Sequence, residues 1–254
     1  MSEQINRLLT IMKTLRDPEI GCEWDRAQSF ETIVPHTIEE AYEVAEAVER
    51  GELTDLRDEL GDLLFQVVFQ SRIAEESGHF DIDDVAKAMS DKLEARHPHI
   101  FGEESLPGGM QEERWEALKA AERADKGAKS ALEGVALALP ALLRAQKLQK
   151  RAARTGFDWP DVQGPADKIR EELEELAAAT SQTDRFEEAG DFLFAAVNLV
   201  RAYGINAEEA LRAANHKFER RFKSMEALAG DGFPELSLDE QEALWQQVKS
   251  AEKL

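Results

Sequence analysis

A single cysteine, Cys22, is all this chain has for thiol chemistry, so no intrachain disulfide can brace it and its stability must come from packing. That scarcity points to a reducing compartment, and the cytoplasm is the expected location. Basic residues are also in deficit. Thirty-one Lys and Arg face 52 Asp and Glu, a formal charge of -21, which argues against general binding to nucleic acid, whose phosphates need a basic surface to release counterions. Long apolar runs are missing: the greasiest stretch, Val135 to Leu143, is broken by Pro140 and falls well short of the roughly 20 residues that cross a bilayer. At the N-terminus Ile5, Leu8, Leu9, Met12 and Leu15 recur at helical spacing among polar side chains, unlike the unbroken apolar centre of a secretory leader. Neither a membrane nor a nucleic-acid partner is expected. There is no Gly-x-x-x-x-Gly-Lys-Ser/Thr phosphate loop, no Gly-x-Ser-x-Gly elbow and no glycine cluster of the dinucleotide-binding kind.

What the chain does have is helix. Apolar residues make up 43% and charged ones 33%, dominated by Ala, Leu, Glu and Arg with only 8 Pro, and little reads as strand. At 254 residues the chain can form one large domain or two of about 120. An internal repeat decides for two. Glu39-Glu40-Ala41-Tyr42-Glu43 followed by Glu59-Leu60-Gly61-Asp62 is answered by Glu171-Glu172-Leu173-Glu174-Glu175 followed by Glu188-Ala189-Gly190-Asp191. Trp24 answers to Trp159, Lys92 and Arg96 to Lys217 and Arg221, and Trp115 with Lys119 to Trp245 with Lys249. The least periodic segment lies between, so the expected organisation is an N-terminal domain over 1–123, a linker over 124–139 and a C-terminal domain over 140–254, each a helical bundle. Further loops are expected at Gly102–Gly109, Pro160–Pro165 and Gly230–Pro234.

Glutamates on helices are usually a solvated face, and Glu46, Glu49, Glu174 and Glu187 are read that way. Glu59, Asp62, Glu188 and Asp191 differ, because each pair is expected at the head of a helix whose following residues are almost wholly apolar. Carboxylates carried on such a helix risk burial, which costs several kcal/mol each unless they are paired or bind metal. A helix-start position for Asp58 and Glu59 could account for one pair through the macrodipole, but not for a matched quartet in both halves. Gly61 and Gly190 cost roughly 1 kcal/mol each against Ala inside a helix, which suggests close approach of a neighbouring helix or ligand. Pairs three apart share a helix face, so Glu172, Glu175, Glu188 and Asp191 are candidate metal ligands, with Glu40, Glu43, Glu59 and Asp62 as the second-copy set. Oxygen-only donors favour Mg²⁺, with Mn²⁺ as a substitute. A di-iron carboxylate site needs two Glu-x-x-His motifs, and only Glu94 with His97 has that spacing.

Lys217 and Arg221, four apart, share a face and suit phosphate oxygens, Arg as a fork and Lys as a point charge. Trp245 and Lys249 lie a turn apart, where an indole can cover a nucleoside while the amine reaches a phosphate; burial in a core is the equal alternative for each Trp. His97, His99 and His216 lack partners at metal-ligand spacing.

These residues together resemble the MazG nucleoside triphosphate pyrophosphohydrolases in their tandem two-domain bacterial form. The marks are Trp24-Asp25-x-x-Gln28-Ser29-Phe30, the Glu-Glu-x-x-Glu and Glu-x-Gly-Asp pairs of both halves, Arg96-His97-Pro98-His99-Ile100-Phe101, Lys217-Phe218-Glu219-Arg220-Arg221-Phe222 and Trp245-x-x-x-Lys249. The resemblance implies an all-α fold shared with dimeric dUTPases, a homodimer, Mg²⁺ dependence, and hydrolysis of NTPs and dNTPs to monophosphate and pyrophosphate, with the C-terminal copy catalytic. On this reading Glu172, Glu175, Lys217 and Arg221 carry the catalysis. Lys168, Glu171, Glu172, Asp191, Lys217, Arg221, Trp245 and Lys249 bind substrate, and water attacks the α-phosphorus with the metal's help. Two other readings stay open: a noncatalytic helical module that binds a cation or a basic partner, and a hydrolase restricted to dUTP or modified nucleotides.

Overall fold

The computed structural model describes residues 2–102, 112–125 and 127–252, and among them every regular element is helical. Two compact units emerge, Met1–Trp115 and Glu116–Leu254. The first holds α1 (Glu3–Leu15), α2 (Glu23–Ala27), α3 (Phe30–Arg50), α4 (Leu53–Glu76), α5 (Ile82–Arg96), α6 (Pro98–Phe101) and the start of α7 (Glu112–Asp125). The second holds α8 (Ala141–Ala153), α9 (Gln163–Ala178), α10 (Gln182–Ala202), α11 (Ala207–Ala229), a 3-10 helix (Gly230–Glu235) and α12 (Leu238–Ala251).

Local chemistry sets the boundaries. The Ser29 and Thr32 side chains each accept from the other's backbone N–H to open α3, and Gly51, at φ 72°, closes it in a left-handed turn that lets α4 run back along it. Ser181 caps α10 by accepting from Asp184 N–H, Asn206 caps α11, and Ser237 with Glu240 forms the reciprocal box of α12. Each unit is therefore built around one antiparallel helical hairpin, α3 with α4 and α9 with α10.

The core of the first unit is Met12, Ile33, Val68, Phe69 and Ile73, with Leu8, Leu9, Phe30 and Phe65 packed against it. Arg16 fastens its edge. The guanidinium binds Glu76 at 2.7 Å, donates to the carbonyls of Asp25 and Gln28, and lies 5.4 Å from the centre of the Phe69 ring. Burial opposes ionisation of Glu76, but the hydrogen bonds from Arg16 and Arg72 hold its carboxyl below the usual range. In the second unit the buried amide of Gln146 does the equivalent work, donating to Ile205 O at 3.1 Å and accepting from Ala207 N–H at 2.8 Å, so that α8 sets the turn between α10 and α11. Gln146→Ala strands both backbone groups and is expected to cost about 1–3 kcal/mol. A thermal melt followed by circular dichroism checks this, and an unshifted midpoint would show that the amide carries no structural load.

Three local expectations are corrected. The acidic pairs do not sit at helix starts: α4 opens at Leu53 and α10 at Gln182, so Glu59, Asp62, Glu188 and Asp191 lie well inside their helices, beyond the first turn where the macrodipole acts. The loop ending at Pro165 ends instead at Val162, with Pro165 in the first turn of α9, where its missing N–H costs no helical bond. The Gly230–Pro234 loop is the 3-10 helix. The loop expected at Gly102–Gly109 lies, from residue 103 onward, outside the described residues.

Candidate metal and nucleotide site

The α9–α10 hairpin brings Glu172, Glu188 and Asp191 together, with one carboxylate oxygen from each lying within 4.8 Å of the others. Glu172 is buried, Glu188 half-buried and Asp191 exposed, so the cluster opens outward from the wall of the hairpin. The side chain of Glu175 is outside this trio, yet its charge still acts on Glu188. Burial, followed by the charges of Glu175, Glu172 and Asp191, pushes the Glu188 carboxyl above its usual range. Lys168, a turn before, pairs with Glu171 at 2.8 Å and Glu172 at 2.6 Å. Those two hydrogen bonds drive its ammonium well above the ordinary lysine value.

The first unit repeats the arrangement on α3 and α4. Glu40, Glu43 and Glu59 form the trio within 4.8 Å, and Asp62 stands outside it but repels both Glu40 and Glu59. Burial is the largest cause of the raised carboxyls of Glu40 and Glu59, with Glu43 next. Sequence spacing thus named all eight acids but not which three of each four converge. Both sets fit a hard divalent cation: the donors are oxygen only, they converge, and they leave surplus negative charge that a cation would offset. Gly61 and Gly190 do not answer a neighbouring helix among the described residues. A Cβ built at either meets nothing within 4 Å, so among the described residues no other helix is accommodated there.

The cationic candidates form a second set on α11 and α12. Arg221 lies 5.4 Å from the centre of the Trp245 ring and binds Glu252 through Nε at 2.8 Å and a second nitrogen at 2.7 Å. Arg220 binds the same carboxylate, and the two arginines hold Glu252 below the usual range. Phe218 also packs against the indole, with ring centres 5.6 Å apart. Lys217 is exposed and Lys249 half-buried, and neither has an ion pair among the described residues. No hydrogen bond or ion pair joins this set to the carboxylates of α9 and α10 among the described residues. Glu252 went unnoticed in the sequence because it lies beyond the repeated motifs; only the fold of α12 against α11 brings it to the arginines. The first unit carries the same device, with Arg96 lying 4.9 Å from the centre of the Trp115 ring and His97 5.4 Å from it.

Residues 28–101 match the MazG nucleotide pyrophosphohydrolase domain family, and residues 141–218 match the phosphoribosyl-ATP pyrophosphohydrolase family. Along nearly its whole length the chain is 51% identical to a nucleoside triphosphate pyrophosphohydrolase of Escherichia coli K12, over 98% of both chains. This chain belongs to the MazG family. It is also 42% identical to a Thermotoga maritima protein named nucleoside triphosphate pyrophosphohydrolase/pyrophosphatase MazG, over 97% of this chain and 96% of that one. A longer Bacillus subtilis protein, YabN, is 40% identical over 96% of this chain and 51% of its own length. The two MazG-type helical bundles are therefore one architecture written twice, and the matched acids fall on the same hairpin in each.

Proposed function

We propose that this chain is a nucleoside triphosphate pyrophosphohydrolase that cleaves NTPs and dNTPs between the α- and β-phosphates at its C-terminal copy, releasing monophosphate and pyrophosphate. The observation that carries this reading is the convergence of Glu172, Glu188 and Asp191 on the α9–α10 hairpin of a chain in this family. Glu172, Glu188 and Asp191, with Glu175 beside them, would hold Mg²⁺, or Mn²⁺ in its place. The ion would supply neutralisation of the triphosphate and a more acidic water at neutral pH.

The chain's own residues do the rest. Lys168 bridges Glu171 and Glu172 at 2.8 and 2.6 Å, which sets a cation beside the buried carboxylate of Glu172. Lys217, Arg221 and Lys249 place positive charge where the departing pyrophosphate gains negative charge, the largest electrostatic demand of the reaction. Glu252 and Trp245 hold the Arg221 guanidinium between them, leaving its Nη1 edge for phosphate. A carboxylate of the quartet that also touches the attacking water serves as general base. Glu40, Glu43, Glu59 and Asp62 form a second cation site in the N-terminal copy.

Two bundles joined through the segment 124–139 describe the domain organisation, and no helix among the described residues is long and apolar enough to cross a membrane. A lone exposed Cys22 suits the cytoplasm. The α9–α10 hairpin leaves Leu173, Phe186 and Leu193 more than half exposed, an apolar face that a homodimer would cover.

The test separates products. Chromatography after incubation with an NTP and Mg²⁺ is expected to find monophosphate and pyrophosphate in equal amounts, and none when the metal is chelated. Diphosphate with orthophosphate, or no turnover of any nucleotide, would count against the reading. In the same assay Lys217→Ala is expected to raise KM by about tenfold with a smaller effect on kcat, the size of one lost charged contact to phosphate. An unchanged KM removes Lys217 from the site.

A further inference from the structure

Helix by helix, the two acidic hairpins align without a gap: Glu39, Glu40 and Glu43 answer to Glu171, Glu172 and Glu175, and Glu59 and Asp62 to Glu188 and Asp191. The residues around the acids differ. Where the C-terminal copy has Lys168, the N-terminal copy has His36, and where it has Ile169, Ala195 and Leu199, the N-terminal copy has Thr37, Gln66 and Gln70.

The first exchange changes the charge balance of each trio. In the C-terminal copy an ammonium already occupies the carboxylates: Lys168 lies 2.6 Å from Glu172, whose side chain is almost fully buried, and 2.8 Å from Glu171. A divalent ion that takes Glu172 has to displace this charged contact. In the N-terminal copy His36 lies 3.6 Å from Glu39, outside the trio, and no ion pair reaches Glu40, Glu43 or Glu59 among the described residues. Arg50, the cation whose field reaches Glu59, is bound to Asp55 at 3.0 Å and to Glu46 at 3.8 Å.

The polar exchanges add a donor. Gln70 Nε2 donates to Thr37 Oγ1 at 2.9 Å, and one turn back Gln66 Nε2 reaches Glu40 Oε1 at 3.5 Å, two rungs that tie α4 to α3. Gln66 is 5% exposed, and its Oε1 is buried with no hydrogen-bond partner among the described residues. Ionised carboxylates have no proton to give that oxygen, whereas a neutral amide oxygen joins carboxylates readily around a hard divalent cation. Gln66 follows Asp62 by four residues and Glu59 by seven, so it continues the acidic face of α4. Ala195 offers no such atom in the C-terminal copy.

We propose that the two cation sites are unequal. The N-terminal copy holds a divalent cation in the absence of nucleotide, with Gln66 Oε1 as a fourth oxygen beside Glu40, Glu43 and Glu59, and this ion braces the α3–α4 hairpin. At the C-terminal copy Lys168 stands in for the cation at rest, and a triphosphate, by drawing the ammonium to its own oxygens, opens Glu172 to the ion it brings. The assignment rests on the two cation sites proposed above and adds their order of filling.

The experiment counts Mn²⁺ bound to the full-length chain by electron paramagnetic resonance, first without nucleotide and then with an ATP analogue that carries carbon between its α- and β-phosphates. Wild type is expected to hold one ion per chain without nucleotide and a second with the analogue. Glu40→Gln is expected to abolish the first ion and Glu172→Gln to leave it. Gln66→Leu, which keeps the volume of the side chain and removes its oxygen, is expected to weaken it about tenfold, the size of one lost contact to a charged group. Lys168→Met is expected to admit the second ion without nucleotide. Two ions or none in resting wild type, a first ion that depends on Glu172 and not on Glu40, an affinity untouched by Gln66→Leu, or a Lys168→Met chain that still needs the analogue would overturn the assignment. If Gln66→Leu melts early, Glu43→Gln, at an exposed residue, replaces it: a weakened first ion supports the site, and an unchanged one overturns it. Ions that bind as stated in a chain that turns over no triphosphate would sink the proposed function and leave this assignment standing; turnover without a resting ion does the reverse.

Discussion

Glu172→Gln is expected to reduce nucleotide turnover about a thousandfold, because a carboxylate that helps hold a divalent cation commands several kcal/mol of transition-state stabilisation and each 1.4 kcal/mol is a factor of ten. The substitution keeps the shape of the side chain and removes only its charge, and Lys168 retains Glu171 as a partner at 2.8 Å, so the helix should survive. Asp191→Asn is expected to do the same to turnover while acting oppositely on the metal-free fold. Asp191 has no ion pair of its own among the described residues and repels Glu188, so neutralising it relieves like-charge repulsion and the melting point without metal should rise. Loss of activity joined to a gain in stability is a signature that a merely misfolded variant cannot imitate. If both variants keep full turnover, the chemistry belongs elsewhere, and Glu40→Gln in the N-terminal trio becomes the informative substitution.

The second large effect is a dependence of stability on pH that divalent cation erases. Glu40, Glu59 and Glu188 have carboxyls raised above their usual value, each by burial first and neighbouring carboxylates after. An acid whose folded pKa is raised holds its proton more tightly when folded. Its contribution is fully present below the unfolded pKa and is lost as pH rises through the folded one. The metal-free protein should therefore weaken as pH climbs from the ordinary carboxylate range toward neutrality, against the opposite trend of Glu76 and Asp158, whose arginine partners hold them low. Saturating Mg²⁺ at neutral pH should restore the loss, by about 2.7 kcal/mol at a hundredfold excess over the dissociation constant. Melting curves across pH, with and without Mg²⁺, measure both. A metal-induced rise that is equal at acid and neutral pH would mean that the ion binds somewhere other than these protonatable groups.

Much of this protein can be read along the chain. Helical period, capping residues such as Ser29, Ser181 and Ser237, and turn glycines such as Gly51 act over a few residues, so the all-α class and the hairpins could be anticipated. The duplication was equally legible, since it needs only order and spacing. What failed was also local in kind: the acids were read near helix starts because apolar residues follow them, whereas the helices begin a turn or more earlier, at Leu53-Thr54-Asp55 and Gln182-Thr183-Asp184. Gly61 and Gly190 were read as points of close approach of a neighbouring helix or ligand, and among the described residues no neighbouring helix lies against them.

By itself the order of residues determined which side chains could share a face, because a helix repeats every 3.6 residues whatever surrounds it. It named the two sets of carboxylates and the Lys/Arg and Trp pairs on that ground. Whether those faces meet depends on how two helices cross and in what register, and packing decides that across long separations in sequence. Tertiary structure alone therefore selected Glu172, Glu188 and Asp191 from their quartet and delivered Glu252 to Arg221.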